Sequence, residues 1–157
     1  TVEGTLDHSS VKLLSEIKAK QLRHGWIESG DVLLAHNASV GKVGYYEGSY
    51  DRALIGTSLT AFRVNPNRID SRFLWASLRD DFFQRQLESI MKQALRNQVP
   101  ITAQRKLLLR VPPLPLQKEF AKRVIEIRDL ETSQSASRKR LDDLFQSMLH
   151  RAFNGEL

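Results

Sequence analysis

The strongest repeating pattern of hydrophobic and polar positions lies in the last third of the chain. From residue 117 to about residue 152, apolar side chains recur at alternating spacings of three and four residues, which is the heptad pattern of a coiled coil. The pattern predicts one long helix over 117–153 that packs through this seam, followed by a short tail at 154–157. The seam residues are Phe120, Val124, Ile127, Gln134, Leu141, Phe145 and Met148.

The middle of this seam is polar. Glu131, Gln134 and Arg138 occupy positions where a coiled coil normally has apolar residues. Polar residues at such positions set the register of a coiled coil and reduce its stability. Two interpretations follow: one continuous helix with a partner helix, or two shorter helices separated by an exposed break. We favour the continuous helix with a partner, because a lone amphipathic helix with so few core contacts is marginal in water.

A cluster of prolines precedes the helix. Prolines stand at 112, 113 and 115, and each fixes φ, lacks a backbone donor and keeps the preceding residue out of the helical region. The sequence therefore predicts a stiff, extended strut at 112–115, with the helix beginning just after it. The strut would close a globular domain that spans 1–116.

The globular part mixes strand and helix patterns. Val32–Ala35 is short and apolar, and 42–46 follows it after a loop, so the two predict a hairpin. Two more strands are predicted at 54–55 and 59–64, then an amphipathic helix over 71–91 and a further core strand over 107–111. The predicted fold class is α/β (α+β): a globular domain followed by a long C-terminal coiled-coil helix.

Positive charge is concentrated in the globular part. The chain carries 24 Lys and Arg against 18 Asp and Glu, a net charge of +6. Residues 1–116 hold 16 basic and 11 acidic residues, whereas residues 117–157 hold 8 and 7. Between Glu88 and Glu119 there are several basic residues and no acidic one. Such a stretch predicts a surface that contacts nucleic-acid phosphates, although a solvated face of a basic protein has the same composition.

Two polar loops supply candidate DNA contacts. One follows the first strand of the predicted hairpin, and the other lies inside the acid-free stretch. Lys and Arg suit phosphates and guanine edges, and Asn and Gln suit adenine edges. We therefore expect bases or phosphates near the following residues: His36, Asn37, Ser39, Lys42, Lys92, Arg96, Asn97, Gln98, Arg105 and Lys106.

No catalytic constellation is visible in the sequence. The four histidines do not have metal-ligand spacing, and Gly41-Lys42-Val43-Gly44 lacks the pattern of a P-loop. Asp80 and Asp81 are adjacent in a predicted helix, so their side chains diverge. We therefore expect no cofactor, no metal and no enzymatic activity of the chain's own. The absence of cysteine, of a long apolar run and of a signal-peptide pattern predicts a cytoplasmic location, away from the membrane.

An ordered set of motifs over about residues 25–157 resembles the DNA-specificity (S) subunit of type I restriction–modification systems. The proline-rich segment, the glutamine after it and the basic-aromatic end of the long helix contribute most to the resemblance. In chain order, the motifs are Gly30-Asp31-Val-Leu, Gly41-Lys42-Val-Gly44, Leu59-Thr-Ala-Phe-Arg-Val64, the helix over 73–91, Leu-Leu-Arg-Val-Pro-Pro-Leu-Pro at 108–115, Gln117, and the helix end over 144–157.

The resemblance implies that DNA recognition and catalysis are carried out by different subunits. A full S subunit has two target recognition domains and two spacer helices that pack antiparallel. Each domain reads one half of a split DNA sequence, and the helix length sets the gap between the halves. Methylation and cleavage belong to partner subunits, which agrees with the missing catalytic residues here.

This chain has one such domain and one such helix, so the resemblance implies a half-length subunit or a fragment; its first residue, Thr1, fits a trimmed or excised chain. A half subunit would homodimerise through its helix and read a palindromic split site. The expected partners are double-stranded DNA, methyltransferase subunits and, where the system cleaves, a restriction subunit. The alternatives are a coiled-coil interaction or structural protein with an incidental basic surface, and an enzyme with an unrecognised site.

Overall fold

A small antiparallel sheet organises the globular part. The computed structural model describes residues 11–92 and 97–156. Strand β2 (Val32–Ala35) lies between β3 (Val43–Tyr45) and β5 (Leu59–Phe62), and β1 (Trp26–Ile27) pairs with β4 (Ala53–Leu54) in a separate two-stranded sheet. The elements in chain order are α1 (Glu16–Gln21), β1 (Trp26–Ile27), β2 (Val32–Ala35), β3 (Val43–Tyr45), β4 (Ala53–Leu54), β5 (Leu59–Phe62), α2 (Ser71–Arg79), α3 (Asp81–Lys92), α4 (Ile101–Gln104) and α5 (Leu114–Phe153).

The central strand β2 is covered on both faces. All four of its residues are buried, and its hairpin with β3 aligns Leu33 with Gly44. Leu33 packs in a cluster with Ile27 and Tyr46. Because side chains alternate along a strand, Val32 and Leu34 lie on the other face, and α2 packs on β2 and β3. The predicted hairpin and the predicted α+β class with a long C-terminal helix are confirmed.

The helix predicted over 71–91 is interrupted at Asp80, which is extended and separates α2 from α3. The Asp80 carboxylate accepts a hydrogen bond from the Phe82 N–H at 3.0 Å. Asp side chains bind nearby backbone donors in this way and so start a new helix. The apolar periodicity continues through the break, with Leu74, Leu78 and Leu87 buried, and therefore the sequence pattern gave no sign of it.

The long helix begins three residues before the predicted start. Its first residue is Leu114, and the Pro113 carbonyl accepts hydrogen bonds from the N–H groups of Leu116 and Gln117 at 3.0 and 3.3 Å. Pro115 lies in the first turn, where a helix does not use the backbone N–H. The prediction of an extended strut through 115 is therefore wrong, and only 112 and 113 precede the helix.

The apolar run 107–111 is not a strand, contrary to the prediction. The backbone of Leu108 bonds to the side-chain amide of Gln86 instead of to a neighbouring strand. The Leu108 N–H donates to Gln86 Oε1 at 2.9 Å, and Gln86 Nε2 donates to the Leu108 carbonyl at 3.0 Å. One glutamine thus satisfies both backbone groups that a ladder partner would satisfy.

Helix α5 is continuous over 40 residues. It runs through Glu131, Gln134 and Arg138 without a break, so the alternative of two shorter helices is wrong. The chain divides into two compact units between Lys118 and Glu119, which places the first turn of α5 in the globular unit. The predicted domain boundary lies two residues earlier, at 116.

A fully buried glutamine holds this first turn in place. Gln117 has 0% exposure. Its Oε1 accepts a hydrogen bond from the Asp70 N–H at 2.9 Å, and its Nε2 donates to the carbonyls of Pro112 and Arg68 at 2.7 and 3.3 Å. Asp70 is also the N-cap of α2, where its carboxylate accepts from the N–H groups of Arg72 and Phe73. The start of α5 and the start of α2 are therefore joined through one side chain.

An ion pair between the exposed Arg63 and the buried Asp31 closes one end of the sheet. Arg63, just after β5, donates from Nε to Asp31 Oδ1 at 2.9 Å and from Nη2 to Oδ2 at 2.7 Å. Asp31, just before β2, is 2% exposed and also accepts from the Glu28 N–H at 2.8 Å. Burial raises the pKa of Asp31, but the hydrogen bonds from Arg63 and Glu28, with the positive charge of Arg63, lower it more. The pKa of this carboxyl therefore lies below its ordinary value.

Replacement of Gln117 by Met, which keeps the approximate length of the side chain, should lower the free energy of unfolding by about 3 kcal/mol, because three partly buried hydrogen bonds to backbone groups are lost. Urea unfolding measures this change. Gln146→Met, at an exposed glutamine of α5, is the matched control and should stay within about 0.5 kcal/mol of the wild type. Equal effects of the two substitutions would contradict the assigned role of Gln117.

Asp31→Asn should lower the free energy of unfolding by about 2 kcal/mol at neutral pH, because the charge-assisted bonds to Arg63 are lost. The pKa of the folded-state carboxyl lies below the unfolded value, so its contribution is complete above the unfolded pKa and disappears as pH falls through the folded pKa. The difference between variant and wild type should therefore shrink toward acid pH in urea unfolding, whereas Asp129→Asn, on the exposed surface of α5, should show little difference at any pH.

Candidate nucleic-acid interface

Two loops that are distant in sequence meet at one end of the three-stranded sheet. The loop between β2 and β3 lies beside the segment 97–99, and Asn37 and Gln98 form an isolated antiparallel bridge. The Val99 N–H donates to the His36 carbonyl at 2.8 Å, and the Ala38 N–H donates to the Asn97 carbonyl at 3.2 Å. The sequence predicted DNA contacts in each loop separately, and the structure brings the two loops together.

His36, which the sequence predicted to contact DNA, is buried in the structure. Its side chain is 6% exposed, and its Nδ1 is buried without a hydrogen-bond partner among the described residues. Its N–H donates to the Ser58 carbonyl at 3.0 Å, and its carbonyl binds Val99. His36 therefore joins β2 to the two neighbouring segments from inside the fold, and its ring is not available to a base edge.

Asn97 holds the loop rather than pointing freely outward. Its Nδ2 donates to the Ala38 carbonyl at 2.7 Å, while its own carbonyl accepts from the Ala38 N–H. Both backbone groups of Ala38 are thus bound to Asn97, although Ala38 itself is exposed. Arg96, the neighbour that the sequence also selected, lies outside the described residues.

The remaining described candidates are accessible. The exposed ones among them are Asn37, Ser39, Lys42, Lys92, Arg105 and Lys106, and Gln98 is half-buried. Arg105 and Lys106 follow the short helix α4, which Gln104 attaches to the segment 97–99 by a 3.0 Å bond from its Nε2 to the Val99 carbonyl. Exposed amide and cationic groups on a joined pair of loops can hydrogen-bond to base edges and phosphates.

Two residues of the β2–β3 loop have positive φ values. Ala38 has φ of 60° and Gly41 has φ of 88°. Gln84 of α3 lies against this turn, and its Nε2 donates to the carbonyls of Gly41 and Leu78 at 3.0 and 2.6 Å. A Cβ atom on Gly41 would lie 2.5 Å from Gln84 Oε1. Gln84 therefore fixes the shape of the loop, and Gly41 leaves the space that this contact needs.

Sequence reasoning missed the glutamines that position this surface. Gln84 and Gln104 contact backbone atoms and so hold loop residues that are candidates for DNA contact. A signal was available for Gln84, which lies among the apolar positions of an amphipathic helix. Polar residues at such positions need a specific hydrogen-bond partner. The burial of Gln104 became visible only in the structure.

The seam of α5 exposes large apolar side chains. Ile127, Leu141 and Phe145 are 54%, 67% and 59% exposed, and Met148 is 48% exposed. Val124 is half-buried, and Gln134, in the polar middle, is exposed. Adjacent ion pairs at i and i+4, such as Glu119–Arg123 and Lys122–Glu126, lie on the same helix. A surface with this much exposed apolar area is typical of a protein-interaction face.

Comparison with known proteins identifies the family. No protein-family model matches the chain. A protein of Methanocaldococcus jannaschii named "Putative type I restriction enzyme MjaX specificity subunit" is 30% identical over 125 residues, which are 76% of this chain. The chain is related to the type I restriction specificity subunits. The predicted resemblance is thereby confirmed.

A solved structure agrees with this relationship at the level of the fold. A chain from a study of complex assembly and conformational transition of the type I restriction–modification system superposes with a TM-score of 0.56 and 22% identity. The match covers 81% of the present chain and 34% of that chain. The present chain also spans 29% of the length of the archaeal relative. It therefore corresponds to about a third of each of these proteins.

Two further observations concern the described residues alone. No group of His, Cys, Asp or Glu side chains within 11–92 and 97–156 is arranged to hold a metal ion. None of the helices in the described part of the chain is both long enough and apolar enough to cross a membrane.

Two substitutions in the β2–β3 loop should differ in their effect on the free energy of unfolding. Gly41→Ala should lower the free energy of unfolding by more than about 1 kcal/mol, because a side chain at positive φ is strained and the new Cβ meets Gln84. Ala38→Gly should be neutral or stabilising by up to about 1 kcal/mol, because glycine adopts positive φ without that strain. Urea unfolding of both variants tests this, and two changes of the same sign and size would contradict it.

Proposed function

We propose that the chain is a DNA-recognition module of a type I restriction–modification system, as a half-length specificity subunit or a fragment of one. The observation that carries this proposal is the junction of the two polar loops, which presents Asn37, Ser39 and Lys42 beside Gln98. The family relationship and the excess positive charge of the globular part support it. The module itself is not catalytic, and it directs methyltransferase subunits and, where the system cleaves, a restriction subunit.

The roles of the candidate residues follow from their positions. Asn37, Ser39 and Gln98 would contact bases in the major groove, and Lys42, Lys92, Arg105 and Lys106 would contact phosphates. Asn97 would position the loop. The lack of cysteine fits the reducing cytoplasm, where DNA of the host is found.

The long helix would bring a second recognition domain to the DNA by pairing with another helix. Its exposed apolar seam fits another helix, and pairing of two copies would give a homodimer that reads a palindromic split site. The same exposed seam favours the alternative, a coiled-coil interaction protein whose basic surface is incidental. The two functions differ in one measurable property, the affinity for DNA.

Binding to random-sequence and selected duplexes at several salt concentrations should distinguish them. A DNA-recognition module with six or more phosphate contacts should lose about a thousandfold in affinity between about 50 and 200 mM salt. Lys42→Ala, Arg105→Ala and Lys106→Ala should each weaken binding to all sequences and reduce the salt slope by about one, whereas Asn37→Ala should change the preferred sequence.

Lys122→Ala provides the control, because Lys122 is an exposed lysine of α5 that pairs with Glu126. This variant should bind DNA like the wild type. If the wild type shows weak binding with no sequence preference and a shallow salt slope, the basic surface is incidental and the interaction-protein alternative is supported.

A further inference from the structure

The loop between β2 and β3 is held from behind by one side chain of α3. Gln84 is half-buried, and its Nε2 donates to the Gly41 carbonyl at 3.0 Å and to the Leu78 carbonyl at 2.6 Å. The nitrogen of a side-chain amide has two protons, so both are used in these bonds. The orientation of the Gln84 amide is therefore fixed, with its Oε1 against the open side of Gly41.

The break between α2 and α3 supplies one of these two acceptors. In a continuous helix, the Leu78 carbonyl would accept from the N–H of Phe82, four residues later. Here the Phe82 N–H donates to the Asp80 carboxylate at 3.0 Å, and Gln84 Nε2 binds the Leu78 carbonyl in its place. The interruption of the helix at Asp80 thus gives Gln84 the second contact that fixes its amide.

One peptide unit carries this restraint to the tip of the loop. The Gly41 carbonyl and the Lys42 N–H belong to the same planar peptide. Gln84 binds the carbonyl, and the N–H donates to the Ser39 carbonyl at 3.3 Å. Because glycine has access to many backbone conformations, Gly41 itself does not fix this peptide. The position of Ser39 therefore depends on a side chain that lies behind the loop.

We propose that Gln84 determines the sequence specificity of the recognition module as a positioning residue, through the peptide that joins Gly41 to Lys42. This inference rests on the proposed function, in which Ser39 contacts a base and Lys42 a phosphate. A base contact needs a hydrogen-bonding group at a defined place, because bases differ in the positions of their donors and acceptors. A phosphate contact from the flexible stem of a lysine tolerates displacement. Loss of the Gln84 amide therefore reduces discrimination between sequences more than it reduces affinity for DNA in general.

Binding of the full chain to two sets of duplexes tests this role, one set selected by the wild type and one of random sequence. Gln84→Met keeps the approximate length of the side chain and removes both donors. The ratio of the two affinities should fall by about tenfold, the equivalent of one lost base contact. The salt slope should stay that of the wild type, because the phosphate contacts are retained.

Gln84→Glu provides a second variant, because it keeps the shape of the side chain and lacks the amide donors. Its added negative charge lowers the affinity for both sets of duplexes alike, so their ratio still isolates the positioning effect. This ratio should fall as in Gln84→Met. Circular dichroism checks that each variant is folded at the temperature of the binding measurement.

Gln86→Met is the matched control. Gln86 is a half-buried glutamine of the same helix, and it also binds the backbone of a distant segment, at Leu108. The two methionine variants should therefore lose similar stability in urea unfolding, but Gln86→Met should keep the wild-type affinity ratio. A purely structural role of Gln84 would give the same ratio in both variants, and that result would overturn the proposal.

Amide-proton exchange tests the loop contact in the absence of DNA. In Gln84→Met, the Lys42 N–H should exchange about tenfold faster than in the wild type, because the peptide that holds it against Ser39 is released. In Gln86→Met, it should exchange at the wild-type rate. Equal exchange rates in the two variants would show that Gln84 does not hold this peptide, and would overturn the proposal as well.

The binding measurements distinguish this inference from the proposed function. A wild-type chain without sequence preference contradicts the recognition function, and the role of Gln84 in specificity is overturned with it. A wild-type chain with a clear preference that Gln84→Met retains overturns the role of Gln84 alone and leaves the recognition function supported.

Discussion

The amide of Gln117 is the contact on which the transition from globular unit to helix depends. It is fully buried, and it binds backbone atoms of Asp70, Arg68 and Pro112. A buried amide without these partners would cost free energy, and the partners would be unsatisfied without the amide. The first turn of α5 is therefore stabilised by the segment before α2.

Glutamine side chains solve the same physical problem elsewhere in the globular unit. Strands of two to four residues leave long stretches of the globular unit in loops, whose backbone groups need partners when they are covered. Gln84 supports the Gly41 turn, Gln86 pairs with Leu108, and Gln104 binds Val99. A glutamine can both donate and accept at the end of a flexible stem, so it can substitute for a missing strand. The candidate DNA surface thus has a shape that is set by side chains behind it.

The hydrophobic pattern predicted the elements better than their ends and contacts. The β2–β3 hairpin was predictable because a short apolar run is followed by a loop and a second strand-like segment, and the long helix because its apolar residues recur in heptads. The break at Asp80 was not, since a capping carboxylate replaces one helix by two without changing the apolar spacing. The early start of α5 at Leu114 was missed because proline is compatible with the first turn as well as with an extended strut.

Contacts between distant segments had no signal in the sequence. The bridge between Asn37 and Gln98 depends on where β2 ends and where α4 begins, and neither loop has a periodic pattern. The burial of His36 was likewise not predicted, and the His36 carbonyl accepts from the Val99 N–H at the same junction. The position of Arg96 is outside the described residues. The candidate site was therefore predictable as two sets of polar residues, but its geometry was not.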